Sequence, residues 1–300
     1  MRKFSTEQKV YSIGGVSIGG QPGEWPTVLI GSIFFSKHRI VTDPRTGTFD
    51  TAQALHLLDQ EAMVSRATAN PRFIDPIGET GEALIRYIEF LARHSDAPIL
   101  VDSPLQKARL QALRHCAGSP VVDRLIYNSI GEDYTEEELT CIRECGVKSA
   151  IILAFSTRAV KPADRLKLLK EKLLPAAEQA GIANILVDPG VLDIPSISWT
   201  AQAIMMIKEE LGYPAGCAPS NALLQWEKMR GRGESVFQAA AASVFAVTQL
   251  MGANFIFYGP VRFAPWAYPA CAATDALLAY GGRLGGVRPA SREHPLYKIF

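Results

Sequence analysis

The hydrophobic positions of this chain follow two alternating patterns: short apolar runs, and longer stretches in which apolar residues recur every three or four positions. Runs such as TVLIGSIFF (27–35), PILVDS (98–103) and NILVDPG (184–190) are rich in β-branched residues, which is typical of buried strands. The stretch RLKLLKEKLLPAAEQA (165–180) places its leucines on one stripe with lysine and glutamate outside, which indicates an amphipathic helix. Strand and helix signals therefore alternate.

This alternation predicts eight strand–helix units. The strands are at 27–35, 72–79, 98–103, 124–130, 149–156, 184–190, 214–220 and 254–260, and the helices at 50–69, 80–95, 104–116, 135–145, 162–180, 198–211, 235–251 and 271–282. Short loops between them imply parallel strands with crossover helices. The predicted fold class is therefore α/β, a (β/α)8 TIM barrel. A doubly wound sheet is the alternative because PAGCAPS (214–220) has poor strand propensity, but eight units favour closure.

No low-complexity linker divides the chain, so we expect a single barrel domain over residues 1–300. An N-terminal leader (1–26) and a C-terminal extension (from about 284 to 300) fall outside the repeat. These two segments are expected either to cap the barrel or to mediate oligomerisation.

Carboxylates and carboxamides are concentrated at the predicted strand ends, where (β/α)8 barrels carry their chemistry. The candidate site residues are Asp75, Glu79, Asp102, Asn128, Asp188 and Asn221. A carboxylate can accept two adjacent N–H donors from the edge of a pterin or purine ring, and asparagine can both donate and accept. Each aspartate alone could instead cap a helix or shape a loop. Together these side chains converge on one mouth and suit a neutral, polar heterocycle.

The strand ends also argue against several reaction classes. They contain no lysine for a Schiff base and no histidine for a zinc hydrolase, and the last two loops lack a glycine-rich phosphate cup. Cys141 and Cys145 are one helical turn apart but have no further ligand nearby, so no metal site is predicted and the five cysteines are expected to be reduced thiols. The five histidines, in helices or loops, are expected at the surface.

The charge and hydrophobicity of the chain narrow the classes of partner that we expect. The net charge of +1 disfavours nucleic acid and anionic membranes as partners, and no apolar run reaches the roughly 18 residues of a membrane span. The start, MRKFSTEQKVYSIGG, has no apolar signal region, so a cytoplasmic location is expected.

The segment FSTEQKVYSIGGVSIGGQPGEWPTVLIGSIFF (4–35) strongly resembles the start of one known family, and the similarity extends along the whole chain. This family includes the H subunit of tetrahydromethanopterin S-methyltransferase and soluble methylcobalamin:tetrahydrofolate methyltransferases of the glycine betaine demethylation type. More broadly, the chain is similar to pterin-binding methyltransferase barrels and to dihydropteroate synthase.

The resemblance assigns roles to the candidate residues. The pterin-edge aspartates of the family match Asp102 in LVDS and Asp188 in LVDPG, and a third pterin-binding residue matches Asn128 in YNSI. The asparagine that bonds to pterin N5 matches Asn221 in APSNA and is the expected catalytic residue. Asp75 and Glu79 are expected to line the same mouth.

The resemblance also implies a reaction. A methyl group would pass from methylcobalamin, carried by a separate corrinoid protein, to N5 of tetrahydrofolate, and the protein would act as a homodimer. No cobalamin-binding D-x-H-x-x-G stands in the chain, so the corrinoid is expected on another molecule. The alternatives are the same transfer with tetrahydromethanopterin, a pterin-condensing enzyme like dihydropteroate synthase, and a noncatalytic subunit that binds a pterin or a corrinoid protein.

Overall fold

Within residues 3–300, the β structure consists of two short hairpins and one eight-stranded sheet. The computed structural model describes residues 3–300. The strands are β1 (Val10–Ile13), β2 (Val16–Gly19), β3 (Val28–Ile33), β4 (Val41–Asp43), β5 (Thr48–Phe49), β6 (Arg72–Pro76), β7 (Ile99–Asp102), β8 (Leu125–Ile130), β9 (Ser149–Leu153), β10 (Asn184–Asp188), β11 (Gly216–Cys217) and β12 (Phe255–Pro260).

The large sheet is a barrel of parallel strands. Its order is β10-β9-β8-β7-β6-β3-β12-β11, and a parallel bridge between Val187 and Ala215 joins β10 to the start of β11. Strands that follow one another in the barrel are therefore also neighbours in the sheet, whereas a doubly wound sheet would reverse its order partway. The predicted (β/α)8 fold is confirmed.

Helices separate the barrel strands. They are α1 (Thr51–Thr68), α2 (Gly81–His94), α3 (Gln106–Cys116), α4 (Glu136–Glu144), α5 (Pro162–Leu168), α6 (Leu174–Gln179), α7 (Ile197–Leu211), α8 (Ser220–Gln225), α9 (Glu227–Arg230), α10 (Glu234–Leu250), α11 (Ala264–Gly282) and α12 (Pro295–Lys298). Short 3₁₀ segments cover Pro120–Arg124, Val261–Phe263 and Arg283–Gly285.

Several helices begin at residues that satisfy their free N–H groups. The side chains of Asp50, Thr80 and Thr135 accept hydrogen bonds from backbone N–H groups three residues later, at the starts of α1, α2 and α4. At the other end of α7, Gly212 adopts the left-handed conformation with φ 67°, which glycine reaches without a steric cost. These local signals fix where helices leave and rejoin the barrel.

Two predicted helices differ from the observed ones because of proline. The helix predicted over 162–180 is interrupted by a π-helical turn, Leu169–Leu173, because Pro175 cannot donate an N–H group to the helix. The last helix begins at Ala264 rather than 271, since Pro265 lies in its first turn and Pro269 is accommodated inside it. The predicted extent of the first helix was therefore correct apart from its π-helical turn, whereas the prolines near Ala264 hid the first turns of α11.

The seventh barrel strand, β11, is only two residues long. A Cβ atom on Gly216 would overlap the carbonyl oxygen of Phe255 on β12, so only glycine permits this close pairing. This requirement explains the poor strand propensity of the segment.

The barrel has an inner apolar core and an outer one, which lies between its strands and its helices. The inner core combines one or two side chains from most strands, including Phe73, Leu100 and Leu186. Ile13 and Ile18 of the β1–β2 hairpin belong to the same buried cluster. The leader therefore caps the interior of the barrel.

The C-terminal extension packs on the outside of the barrel, where α12 contacts α11 and α1. His294 is buried here, contrary to the expected surface position, and its Nδ1 accepts a hydrogen bond from the backbone N–H of Leu296. None of the helices within residues 3–300 combines the length and apolar character needed to cross a bilayer.

Candidate functional site

A layer of polar side chains closes the inner core at the C-terminal ends of the strands. Side chains two positions apart on a strand point to the same face. The inner-core residues two positions earlier are Ile30, Phe73, Leu100, Ile126 and Leu186. The polar residues that follow them are Ser32, Asp75, Asp102, Asn128 and Asp188. All five therefore face the interior of the mouth.

Four members of this layer form one hydrogen-bonded row. The Ser32 hydroxyl donates to Oδ2 of Asp75 over 2.8 Å, and Nδ2 of Asn128 donates to Oδ2 of Asp102 over 3.1 Å. The sheet register places Asp75 opposite Ser32 and Asn128 opposite Asp102. The structure thus brings together three of the candidate residues and adds Ser32, which also lies near the end of its strand but was not among the candidates.

Asp75 and Asp102 share a proton at the centre of the row. Burial and the negative charge of Asp102 raise the pKa of Asp75 well above its usual range. Burial also raises the pKa of Asp102, to about 6, although the hydrogen bond from Asp75, the charge of Arg109 and the amide of Asn128 oppose this shift. Asp75 is therefore the protonated partner and donates to Asp102, which stays available as an acceptor.

An ion-pair network behind β7 and β8 holds the backbone of the residue that follows Asp102. Arg109 of α3 donates to the carbonyl oxygen of Ser103 (2.6 Å), to the Tyr127 hydroxyl (2.9 Å) and to Oε1 of Glu138 (3.1 Å). Tyr127 also donates a short hydrogen bond to Glu138. Sequence reasoning missed this network, because these side chains point away from the mouth and lie on three different elements.

Asp188 occupies the same rim on β10, opposite Leu153 of β9. It is 7% exposed, and its Oδ1 accepts a 2.7 Å hydrogen bond from the backbone N–H of Gly190. Burial raises its pKa to about 7, while this hydrogen bond and the charge of Arg165 oppose the shift. Asp188 is thus a buried carboxyl with one oxygen partly committed to its own loop.

Neither site aspartate caps the helix that follows it. The residue before α3 is Leu105, without a side-chain cap, and α7 is preceded by Ser196. The interpretation of Asp102 and Asp188 as helix caps is therefore wrong. Asp188 has a structural role only in its own loop, where it accepts the hydrogen bond from Gly190.

The other two candidates lie apart from this row. Asn221 is exposed on α8, just after β11, and among residues 3–300 no hydrogen bond joins its side chain to the carboxyl cluster. Glu79 is half-buried, and its charge acts on Tyr87 of α2, whose pKa burial and Glu79 raise to about 12. Their functional roles stay predictions.

His38 is buried in the loop after β3, so the expected surface position was wrong for this residue as well. Its Nδ1 accepts a hydrogen bond from the N–H of Phe34, and its ring stacks on Phe35 with 4.5 Å between centroids. Burial and the nearby charge of Arg262 lower its pKa to about 4, so the ring is neutral at physiological pH. A ring nitrogen that accepts a backbone N–H allows this burial.

The cysteines and acidic groups form no recognisable metal centre. Within the described part of the chain, no group of three or more His, Cys, Asp or Glu side chains is arranged to hold a metal ion. Cys141 and Cys145 are buried free thiols with 3.8 Å between their sulfur atoms.

Comparison with solved structures places the fold among the dihydropteroate synthases. The chain is similar to the Xanthomonas albilineans dihydropteroate synthase in complex with 7,8-dihydropteroate, with a TM-score of 0.62, 18% identity, and coverage of 90% of this chain and 98% of that chain. It also resembles the Thermus thermophilus enzyme, with a TM-score of 0.60, 15% identity, and coverage of 90% and 100%. Identities this low establish the barrel fold alone.

The sequence comparisons are more specific. Residues 6–290 match the family model of the tetrahydromethanopterin S-methyltransferase MtrH subunit, and the chain belongs to this family. It is 35% identical over 312 positions to the H subunit of the Methanopyrus kandleri tetrahydromethanopterin S-methyltransferase, with 96% of each chain covered. It is 34% identical to the H subunit of a putative mtx methyltransferase of Methanosarcina acetivorans, with 99% of each covered.

Proposed function

We propose that this protein transfers a methyl group between a methylated corrinoid, carried by a separate protein, and N5 of a tetrahydropterin. The polar layer over the inner core, Ser32–Asp75–Asp102–Asn128 with Asp188 beside it, is the observation that carries the proposal. Membership of the methyltransferase family supports the reaction class.

The polar layer suits the edge of a pterin ring. Adjacent ring N–H and NH₂ groups need an acceptor with two oxygens, and an ionised aspartate provides one. Asp102 remains an acceptor because Asp75 retains the shared proton. Asn128, held against Asp102, adds an amide oxygen that can accept a further ring donor. Arg109 holds the carbonyl oxygen of Ser103, so the backbone next to Asp102 is fixed before the ring binds.

The chemistry requires positioning more than proton transfer. The methyl group on a corrinoid is electrophilic because cobalt(I) is a good leaving group, and the unprotonated N5 of a reduced pterin is a nucleophile. A site with neutral His38 and without a lysine at the strand ends is compatible with this reaction, because no strong base is needed. Fixing the two reactants for in-line attack can lower the barrier by roughly 7–11 kcal/mol.

The identity of the acceptor pterin can be tested directly. The names of the curated relatives favour tetrahydromethanopterin, whereas the sequence-based expectation was tetrahydrofolate. Purified protein should be mixed anaerobically with methylcobalamin and each pterin in turn, and cobalt(I) formation followed by absorbance. Cobalt(I) formation with either pterin supports the proposal, and the faster reaction identifies the acceptor. No cobalt(I) with either pterin, from free or protein-bound methylcobalamin, would refute the proposal.

Asn221 is the proposed N5 ligand, and its removal tests the assignment. The amide would orient N5 and stabilise the charge that develops there, so Asn221→Ala should lower kcat by roughly two orders of magnitude, with a smaller change in pterin affinity. Steady-state kinetics and equilibrium binding separate the two effects. Gln225→Ala, at an exposed position on the same short helix, is the control and should react normally. A loss of pterin affinity alone would refute the N5 role.

We also propose that two copies of the chain associate through α10 and α11. From Ser235 to Leu250, α10 carries no charged residue, and the one charged side chain of α11, Asp275, is buried. The two helices pack side by side. Their exposed apolar side chains are Val236, Val247, Leu250, Leu277 and Tyr280. An uncharged surface of this kind, which we call the α10–α11 face, is typical of a homodimer interface.

A further inference from the structure

Two exposed leucines border the mouth, on the loops that follow the strands supplying the site aspartates. Leu105 follows Asp102 by three residues and is 56% exposed, and Leu192 follows Asp188 by four residues and is 59% exposed. Apolar side chains this exposed on two loops beside one polar site suggest a contact surface. We call Leu105 and Leu192 the rim leucines.

Local stability does not explain Leu105. It occupies the position before α3 where Ser, Asp or Asn would accept hydrogen bonds from the free N–H groups of the helix, and it provides no such bond. Its own backbone N–H donates to the Ser103 hydroxyl, so the backbone is held while the side chain remains in solvent. Because Leu105 gives up a stabilising helix cap, its exposed side chain is better explained by a contact with another molecule.

Leu192 is presented by a rigid loop. The Ser196 hydroxyl accepts hydrogen bonds from the backbone N–H groups of Leu192 (3.2 Å) and Asp193 (2.9 Å). Val191 and Ile194, on either side, pack against the outer core. Leu192 is thus the apolar residue of this loop that the fold leaves uncovered.

We infer that the rim leucines form a docking contact for the protein that carries the corrinoid. This inference rests on the proposed function, in which cobalt-bound methyl must approach an acceptor lying between Asp102 and Asp188. A carrier protein that delivers the methyl group has to cover this mouth and therefore meets the loops that follow β7 and β10. Because both backbones are already held, burying these side chains costs little additional ordering.

The test compares the affinity for the corrinoid protein with the rate of methyl transfer. Leu105→Ser, Leu192→Ser and the double variant should be titrated with the corrinoid subunit of a tetrahydromethanopterin S-methyltransferase loaded with methylcobalamin. The double variant should raise the Kd of this complex about tenfold, a change typical of removing apolar contacts from an interface. Its pterin affinity and its rate with free methylcobalamin should stay within about twofold of wild type. Leu284→Ser is the matched control, since Leu284 is 96% exposed at the far end of α11.

An unchanged Kd in the double variant, or a wild-type chain that does not bind the loaded corrinoid protein, would overturn the docking contact. A loss of rate with free methylcobalamin as large as the loss of affinity for the corrinoid protein would also overturn it, because the leucines would then act on the small reactants. The Kd is measured without turnover. Weakened binding together with no methyl transfer to either pterin would refute the proposed function while leaving the docking contact in place.

Discussion

Asp188 is the candidate carboxyl whose protonation should bear most directly on the proposed binding of the pterin ring. Burial raises its pKa to about 7, and only the ionised form can accept two ring donors. Pterin affinity should therefore fall by up to tenfold for each pH unit below 7, with protons released on binding. Calorimetry in two buffers of different ionisation enthalpy measures this release. A pH-independent affinity between pH 8 and 6 would contradict the assignment.

The corresponding variant separates charge from shape. Asp188→Asn keeps the size of the side chain but places an amide where both ring donors need oxygens, so it should weaken pterin binding by about 1–3 kcal/mol and flatten the pH dependence near pH 7. Asp59→Asn, on the exposed face of α1, is the control and should bind normally.

Without ligand, the raised pKa of Asp188 makes the protein lose stability as pH rises from about 4 to 7, since the folded state retains a proton that the unfolded chain releases.

The residues proposed to bind the ligand were easier to locate from the sequence than those that support them. Asp102 ends β7 and Asn128 lies near the end of the neighbouring β8, and parallel strands bring their ends together, so sequence order alone placed this pair. The shared proton of Asp75 could not be predicted, because it depends on the distance between two carboxyls. Nothing in the sequence distinguishes Arg109 from an arginine at the surface, because its bond to Glu138 depends on how α3 packs against α4.

Among the secondary-structure elements, the leader hairpin is joined to α7 and β12 by one buried amine. Nζ of Lys208 donates to the carbonyl oxygen of Gly20 (3.0 Å) and to Oδ1 of Asn254 (2.6 Å). Nδ2 of Asn254 in turn donates to the carbonyl oxygen of Gly19. Burial lowers the pKa of Lys208 to about 7.

This amine should make stability depend on pH. Between pH 7 and about 10 the unfolded chain binds a proton at Lys208 that the folded protein does not, so the free energy of unfolding should rise with pH by up to about 1.4 kcal/mol per unit. Lys208→Met should remove this slope and lower stability at pH 9 by about 1–3 kcal/mol, because two buried oxygens lose a donor. Urea unfolding at pH 7 and 9 measures both effects. Lys107→Met, at an exposed position on α3, should leave the slope intact.

The elements themselves were predictable where one pattern dominated. Apolar runs located the barrel strands, including β7 and β10 with their terminal aspartates. The burial of Ile13 and Ile18 in the inner core was not predictable, since a two-stranded hairpin gains its buried neighbours only when the barrel closes beside it. The start of α11 was likewise hidden, because Pro269 signals a break that the neighbouring packing overrides.

For the whole molecule, the two exposed apolar surfaces have different expected occupants. The rim leucines lie beside the polar site, at the ends of β7 and β10, whereas the α10–α11 face runs along the outside of the barrel. A second copy of the chain on the α10–α11 face would leave the mouth open to a corrinoid carrier. Dimerisation and methyl transfer should therefore be separable by mutation.

The α10–α11 face provides the test of assembly. Val247 and Leu277 are 46% and 63% exposed, so Val247→Glu with Leu277→Glu should not disturb the core. At an interface each glutamate would have to be desolvated without a partner, which costs several kcal/mol per charge. Light scattering after size exclusion should therefore give a dimer for the wild type and a monomer for the double variant at micromolar concentration. Leu192→Ser, at the mouth, should remain dimeric. A monomeric wild type, or a double variant that stays dimeric with an unchanged dissociation constant, would show that the second copy does not bind here.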